Sequence, residues 1–146
     1  MAAESILVIN GPSLSRLGFR QPEIYGSSSL DDLEDMLGEH AASKSVDLAF
    51  FQSDVEGELV RAVNEGGLHS GLVINPAAYS HYSIAIMDAM LAFQGPVAEV
   101  HISNVFSRES FRRDLVTAMG ADVFISGAGL DGYIHALDIV CGILHK

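Results

Sequence analysis

The sequence predicts an α/β domain built on a five-stranded parallel sheet with helices on both faces. Three observations predict it. Short runs rich in β-branched or aromatic residues alternate with longer stretches of helical periodicity. The short runs are apolar at successive positions rather than at every second one, as expected of strands buried on both faces. Apolar residues make up 49% of the 146 and charged residues only 18%, which is enough to bury a core of that size.

Residues 6–9 open the alternation as the first strand. Residues 30–43 follow with the i, i+3, i+4 apolar spacing of a helix, and Ser29 is placed to cap it. Residues 48–51 form the second strand. The second helix, 54–64, is entered through the capping box Ser53-Asp54-Val55-Glu56 and closed by Gly66-Gly67. Strands over 71–74 and 97–100 flank a helix over 80–93, and Ser107 is placed to cap a helix over 108–119. Residues 123–125 form the fifth strand and 130–144 the last helix. Right-handed crossovers at this chain length favour the flavodoxin-like strand order 2-1-3-4-5. Neither linker nor repeat interrupts residues 1–146, which therefore read as one domain. One segment breaks the alternation. Residues 11–28 hold two prolines and three glycines and show no periodicity, and a loop of that length usually serves as a lid, here over about 18–28.

With 19 acidic against 8 basic residues the formal charge is −11, which disfavours nucleic acid and anionic membrane surfaces as partners. Five of the eight cations nevertheless fall in two clusters, Arg16 with Arg20 and Arg108 with Arg112 and Arg113. They are either local anion sites or surface ion pairs. Cys141 is the single cysteine, so no internal disulfide can form, and its apolar surroundings suit core filler. No apolar stretch is long enough to span a bilayer, and no positive charge precedes the first apolar run, so a cytoplasmic protein is expected.

In sheets of this class ligands bind beyond the carboxyl ends of the strands. Three polar segments stand there: Asn10-Gly11-Pro12-Ser13 after strand one, Asn75-Pro76-Ala77-Ala78-Tyr79-Ser80-His81 after strand three, and His101-Ile102-Ser103-Asn104 after strand four. Glu99 and His101 lie two apart on one strand and face the same way, a carboxylate placed to orient an imidazole. That arrangement suits general acid–base chemistry better than a metal site, although a structural histidine at a strand end stays open for His101 and for His81. Tyr25, five residues after Arg20, is either a lid contact or a base whose phenolate a guanidinium favours. The glycine run from Gly127 to Gly132 matches a dinucleotide fingerprint, but only 14 residues follow it, so it reads as a tight turn into the last helix.

These residues resemble the type II dehydroquinases. The resemblance rests on Ile9-Asn10-Gly11-Pro12 with Leu14, Leu17-Gly18, Arg20, Pro22 and Ile24-Tyr25-Gly26, on Gln52-Ser53 with Glu56-Gly57, and on the run from Asn75 to His81 followed by Ser83, Ala85 and Asp88-Ala89. It extends through Glu99-Val100-His101-Ile102-Ser103-Asn104-Val105 with Arg108-Glu109, Phe111 and Arg112, and through the glycine turn from Gly127 to Tyr133. The resemblance implies a 3-dehydroquinate dehydratase, a hydro-lyase that removes water in trans through an enolate to give 3-dehydroshikimate, without metal or organic cofactor. It implies Tyr25 as the base, supported by Arg20, and His101, oriented by Glu99, as the acid. It places the substrate carboxylate on Asn75, Ser103 and the backbone N–H groups of Ile102 and Ser103, and the ring hydroxyls on His81 and Arg112. It implies a homo-oligomer, a trimer assembling to a dodecamer, with Asp88 reaching a neighbouring subunit's site. Ser13 stands where the family usually has asparagine, a side chain that helps hold the water stabilising the enolate. A chain that binds small cyclic carboxylates with impaired turnover is the alternative that Ser13 raises. Gln21, Met87, Phe106 and the run Asp114-Leu115-Val116 are further departures.

Overall fold

A computed structural model describes residues 3–146. Five strands, β1 (Ser5–Asn10), β2 (Asp47–Gln52), β3 (Gly71–Asn75), β4 (Val97–His101) and β5 (Val123–Ser126), form one parallel sheet in the order β2-β1-β3-β4-β5. That is the order the sequence predicts. Alternate residues of each strand enter separate cores. Ile6, Val8, Val73, Ala98 and Val100 pack with Leu33 and Leu37 of α2 (Leu30–Ser43) and with Leu137 and Val140 of α5 (Asp131–Leu144). Leu7, Ile9, Leu72, Ile74 and Val97 face the opposite way, onto Leu59 and Val63 of α3 (Glu56–Glu65) and Ile86 and Met90 of α4 (Ile84–Ala92). The strands are therefore apolar on both faces because each face carries a layer of helices.

Helix α2 is capped as its sequence predicts: the Ser29 hydroxyl accepts from Asp32 N–H and the Asp32 carboxylate accepts from Ser29 N–H. The second predicted box does not close. The Ser53 hydroxyl accepts from Val55 N–H at 2.9 Å but donates to the Glu58 carboxylate, so α3 begins at Glu56. The predicted start at Ser80 also shifts. Residues Ala77–His81 form a 3-10 turn, and Ser83 caps α4 by accepting from Ile86 N–H.

The predicted helix over 108–119 is absent. The segment folds as three 3-10 turns, Val105–Ser107, Ser110–Arg113 and Thr117–Gly120, and the first is capped by Asn104, not by Ser107. Tertiary contacts override a weak local preference here. Arg108 and Arg112 turn into a cleft, and Thr117 is drawn inward to a buried carboxylate.

The segment 11–28 is more ordered than its composition suggests. It contains a 3-10 turn, Leu14–Arg16, and a short helix α1 (Pro22–Tyr25), with Leu14 and Leu17 buried in the core. Gly11 is required at its start, since a Cβ there would lie 2.6 Å from the Pro76 carbonyl oxygen. Gly127 has a φ of 90° and a Cβ position 2.9 Å from that of Asn104, which makes the last glycine run a tight turn.

A polar clamp joins α2 to α5: His40 Nε2 and Lys44 Nζ donate to Asp138 at 2.6 and 3.0 Å. Partial burial pushes the Asp138 carboxyl up, but the hydrogen bonds from His40 and Lys44 outweigh it and hold the group below its ordinary value. A carboxyl depressed in the folded state contributes stability above its unfolded value and loses it as pH falls through the folded one. Asp138→Asn is therefore expected to reduce stability at neutral pH by less than about 1 kcal/mol, since the pair is partly solvated. The deficit relative to the parent should shrink as pH falls below the ordinary carboxyl value of about 4 and vanish only below the depressed folded value, where the carboxyl is protonated in both states. Urea unfolding at a series of pH values measures it, and a deficit unchanged at low pH would rule out the carboxylate as its source. No helix among the described residues is long and apolar enough to cross a membrane.

Candidate active site

The register of the sheet builds the site. Gln52, Asn10 and Asn75 are aligned across β2, β1 and β3, and Glu99 of β4 lies beside Ile74, one residue earlier. The strand ends therefore present a polar rim beyond two apolar cores. A cleft of about 100 Å³ opens at that rim. Ser13, Arg20, Tyr25, Asn75, His81 and His101 face it, together with Ile102, Ser103, Arg108 and Arg112.

Glu99 and His101 share the face of β4 that looks toward α4, as two-residue spacing requires. The carboxylate is fully buried and accepts from His101 Nε2 at 2.8 Å on one oxygen and from the Thr117 hydroxyl at 2.5 Å on the other. With Nε2–H held by Glu99, the other ring nitrogen of His101 is left for the cleft.

Opposite the strand ends, two guanidinium groups bracket Tyr25. Arg108 Nη1 donates to the phenol oxygen at 2.6 Å, and its Cζ lies 5.4 Å from the ring centroid. Arg20 lies over the same ring with its Cζ 5.2 Å from the centroid. The sequence reading assigns the support of Tyr25 to Arg20. The hydrogen bond to the phenol oxygen comes from Arg108, which also donates to Ser103 Oγ at 3.3 Å.

His81 Nδ1–H donates to the Asp114 carbonyl at 2.8 Å, so Nε2 is the acceptor it offers. Burial pulls His81 below the usual histidine value and outweighs the raising effect of that hydrogen bond, and nearby Arg112 and His101 lower it further. A neutral imidazole with an acceptor nitrogen suits a hydroxyl ligand. Arg112 is steadied by Glu109, whose carboxylate accepts from Nε at 2.7 Å. The amide of Asn75 is fixed at both ends: its oxygen accepts from Ala77 N–H at 3.0 Å and its nitrogen donates to the Tyr133 hydroxyl at 2.8 Å. Tyr133 in turn donates to Asn10 at 2.6 Å, and burial holds its phenol well above the usual tyrosine value, as a neutral hydrogen-bonding strut.

Ser13 has a left-handed backbone, φ 67° and ψ 0°, and its N–H donates to Asp54 at 2.8 Å. Asp88 lies outside this constellation, exposed on α4. Among the described residues no three His, Cys, Asp or Glu side chains gather in a way that could hold a metal ion. A more open groove of about 540 Å³ lies against β2 and α3, but two of its ionisable groups are tied to serines, Glu58 to Ser53 and His69 to Ser5.

Residues 4–141 match the family model described as dehydroquinase class II. The chain belongs to the class II dehydroquinase family. It is 48% identical over 136 residues to a 3-dehydroquinate dehydratase of Bartonella tribocorum, covering 92% of this chain and 91% of the relative. It is 48% identical over 145 residues to a 3-dehydroquinate dehydratase of Streptomyces avermitilis, covering 98% and 91%. The crystal structure of a type II dehydroquinase from Butyrivibrio crossotus superposes with a TM-score of 0.93 at 42% identity, covering 95% of this chain and 98% of that one.

Of the site residues expected in this class II dehydroquinase chain, all but Glu99 and Asp88 line the cleft, and Glu99 stands directly behind His101. Arg108, Thr117 and Tyr133 enter only with the structure. The arginine cluster left an anion site or a surface ion pair open at Arg108, and no local pattern aims one of its members at Tyr25, 83 positions away. Thr117 carries no sequence signal at all.

Proposed function

We propose that the chain catalyses the trans-dehydration of 3-dehydroquinate to 3-dehydroshikimate. The observation that supports this reading most is the pairing, in one cleft, of a tyrosine bonded through its phenol oxygen to a guanidinium with a histidine bonded to a buried carboxylate. Tyr25, as phenolate, removes a proton from the carbon beside the ketone, and the C–H electrons move onto the ketone oxygen to form an enolate. The enolate then expels the hydroxyl, which leaves as water as His101, entering the step as imidazolium, gives it the proton on the ring nitrogen that faces the cleft and keeps Nε2–H on Glu99. Arg108 bonds the oxygen of the base and Arg20 lies over its ring, and Glu99 fixes the orientation of the acid. The substrate carboxylate is received by Asn75, Ser103 and the backbone N–H groups of Ile102 and Ser103. His81 and Arg112 receive the ring hydroxyls. The proposal extends to a trimer that assembles to a dodecamer, with Asp88 completing a neighbouring subunit's site. Exposed Ile84 and Leu91 on the same helix, and exposed Met119 in the turn packed beside it, support that assembly.

The test is direct. Purified protein mixed with 3-dehydroquinate should generate the absorbance of a conjugated enone. Calorimetric binding of 3-dehydroquinate without any absorbance change would instead select the impaired binding protein.

Ser13 is the residue on which that choice turns. Its left-handed backbone is one that asparagine tolerates better than serine, and its shorter hydroxyl reaches less far toward an enolate-stabilising water. Ser13→Asn is expected to raise kcat by up to about 10²-fold, the scale of one donor at a developing oxyanion. A steady-state comparison under saturation checks it, and an unchanged or lower kcat would clear Ser13 of limiting the reaction.

A further inference from the structure

We infer that Thr117 is a positioning residue for the proposed proton donor: its hydroxyl sets the carboxylate of Glu99, and through it the tautomer and angle of the His101 ring. The inference rests on the dehydratase reading for its effect on rate but not for its effect on the imidazole. Thr117 and Glu99 are both fully buried. A buried carboxylate must have its oxygens hydrogen-bonded, and among the described residues two donors reach this one, the Thr117 hydroxyl at 2.5 Å on Oε1 and His101 Nε2 at 2.8 Å on Oε2. The hydroxyl has one proton to give, and giving it to Oε1 leaves Oε2 to the imidazole. The two bonds fix the plane of the carboxylate, and with it the direction from which His101 must approach.

The backbone supports the same role. Thr117 opens the 3-10 turn Thr117–Gly120, which packs on α4 so closely that a Cβ on Gly120 would lie 2.9 Å from the Met87 carbonyl oxygen. The hydroxyl is therefore delivered from a braced turn rather than from a mobile loop. Thr117 does not line the cleft, so its influence passes through Glu99.

Thr117→Val removes the hydroxyl at nearly constant volume. The expected result is a fall in kcat of roughly 10–100-fold with KM changed by less than about threefold, as when a partner behind a functional histidine is lost. Thr117→Ser should recover most of the rate. Thr117→Ala lacks the hydroxyl without adding bulk and should behave as the valine variant does. In a Glu99→Gln background, Thr117→Val should have little further effect. Nitrogen NMR of histidine-labelled parent protein, read at a pH high enough for the ring to be neutral, should show His101 with its proton on the nitrogen that faces Glu99, and the valine variant should show a mixture of tautomers. Parent-like kcat and parent-like His101 shifts in both hydroxyl-free variants would overturn the inference. A serine variant as slow as valine would overturn it too, and so would a mixed tautomer in the parent, a measurement that needs no variant to fold. If the parent fails to turn over 3-dehydroquinate, the dehydratase reading falls, and the His101 shifts alone still decide the role of Thr117.

Discussion

Replacing Tyr25 with phenylalanine is expected to lower kcat by about 10³-fold, within the range for losing a positioned general base, while KM stays within a few-fold of the parent. The phenol oxygen is the atom that Arg108 Nη1 approaches at 2.6 Å, and phenylalanine removes that atom and little else. The ring should keep its place, because the Arg20 and Arg108 guanidinium groups lie over its face at 5.2 and 5.4 Å and phenylalanine presents the same face. Arg108 loses one acceptor but keeps Ser103 Oγ at 3.3 Å and the Glu109 carboxylate at 3.7 Å, so the lid should not unfold. The groups assigned to the substrate carboxylate lie on other segments and are untouched. Enone formation at saturating 3-dehydroquinate, combined with calorimetric titration, separates the two effects. A phenylalanine variant that kept more than about a tenth of parental kcat would remove Tyr25 from the base role.

The second large effect concerns Glu99→Gln, for which kcat is expected to fall by about 10²-fold or more, again within the range for a general acid. The amide fits the space of the carboxylate but offers a single acceptor oxygen, whereas Glu99 now accepts on both oxygens from His101 and Thr117. If the amide N–H₂ faces His101, Nε2 must give up its proton or the ring must turn, and the charged ring that donates from its cleft-facing nitrogen has lost its carboxylate partner. Stability is expected to move the other way or not at all. A buried charge carries a desolvation penalty, and a neutral isostere that keeps some of the hydrogen bonds often leaves a protein equally or more stable. Lost rate with an unchanged or raised Tm would show that Glu99 serves the imidazole rather than the fold. Parental kcat in this variant would leave His101 without an orienting partner and sink the acid assignment as drawn.

Much of this protein is legible in its sequence because the relevant signals are local. The sheet and its order follow from short runs that are apolar on both faces alternating with helical periodicity, and α2 follows from that periodicity with Ser29 placed to cap it. The Glu99–His101 pair is legible for the same reason, since two residues at spacing two on a strand must share a face. The tertiary structure alone decided that Arg108 rather than Arg20 bonds the oxygen of Tyr25, that Thr117 donates to Glu99, and that three 3-10 turns within 105–120 replace the helix expected over 108–119. Those contacts join positions 83 and 18 apart. Helical preference is worth only tenths of a kcal/mol per residue, whereas leaving a buried carboxylate unpaired costs several kcal/mol. The path of that segment is therefore set by the groups it must reach, and those become neighbours only after the strands have brought them together.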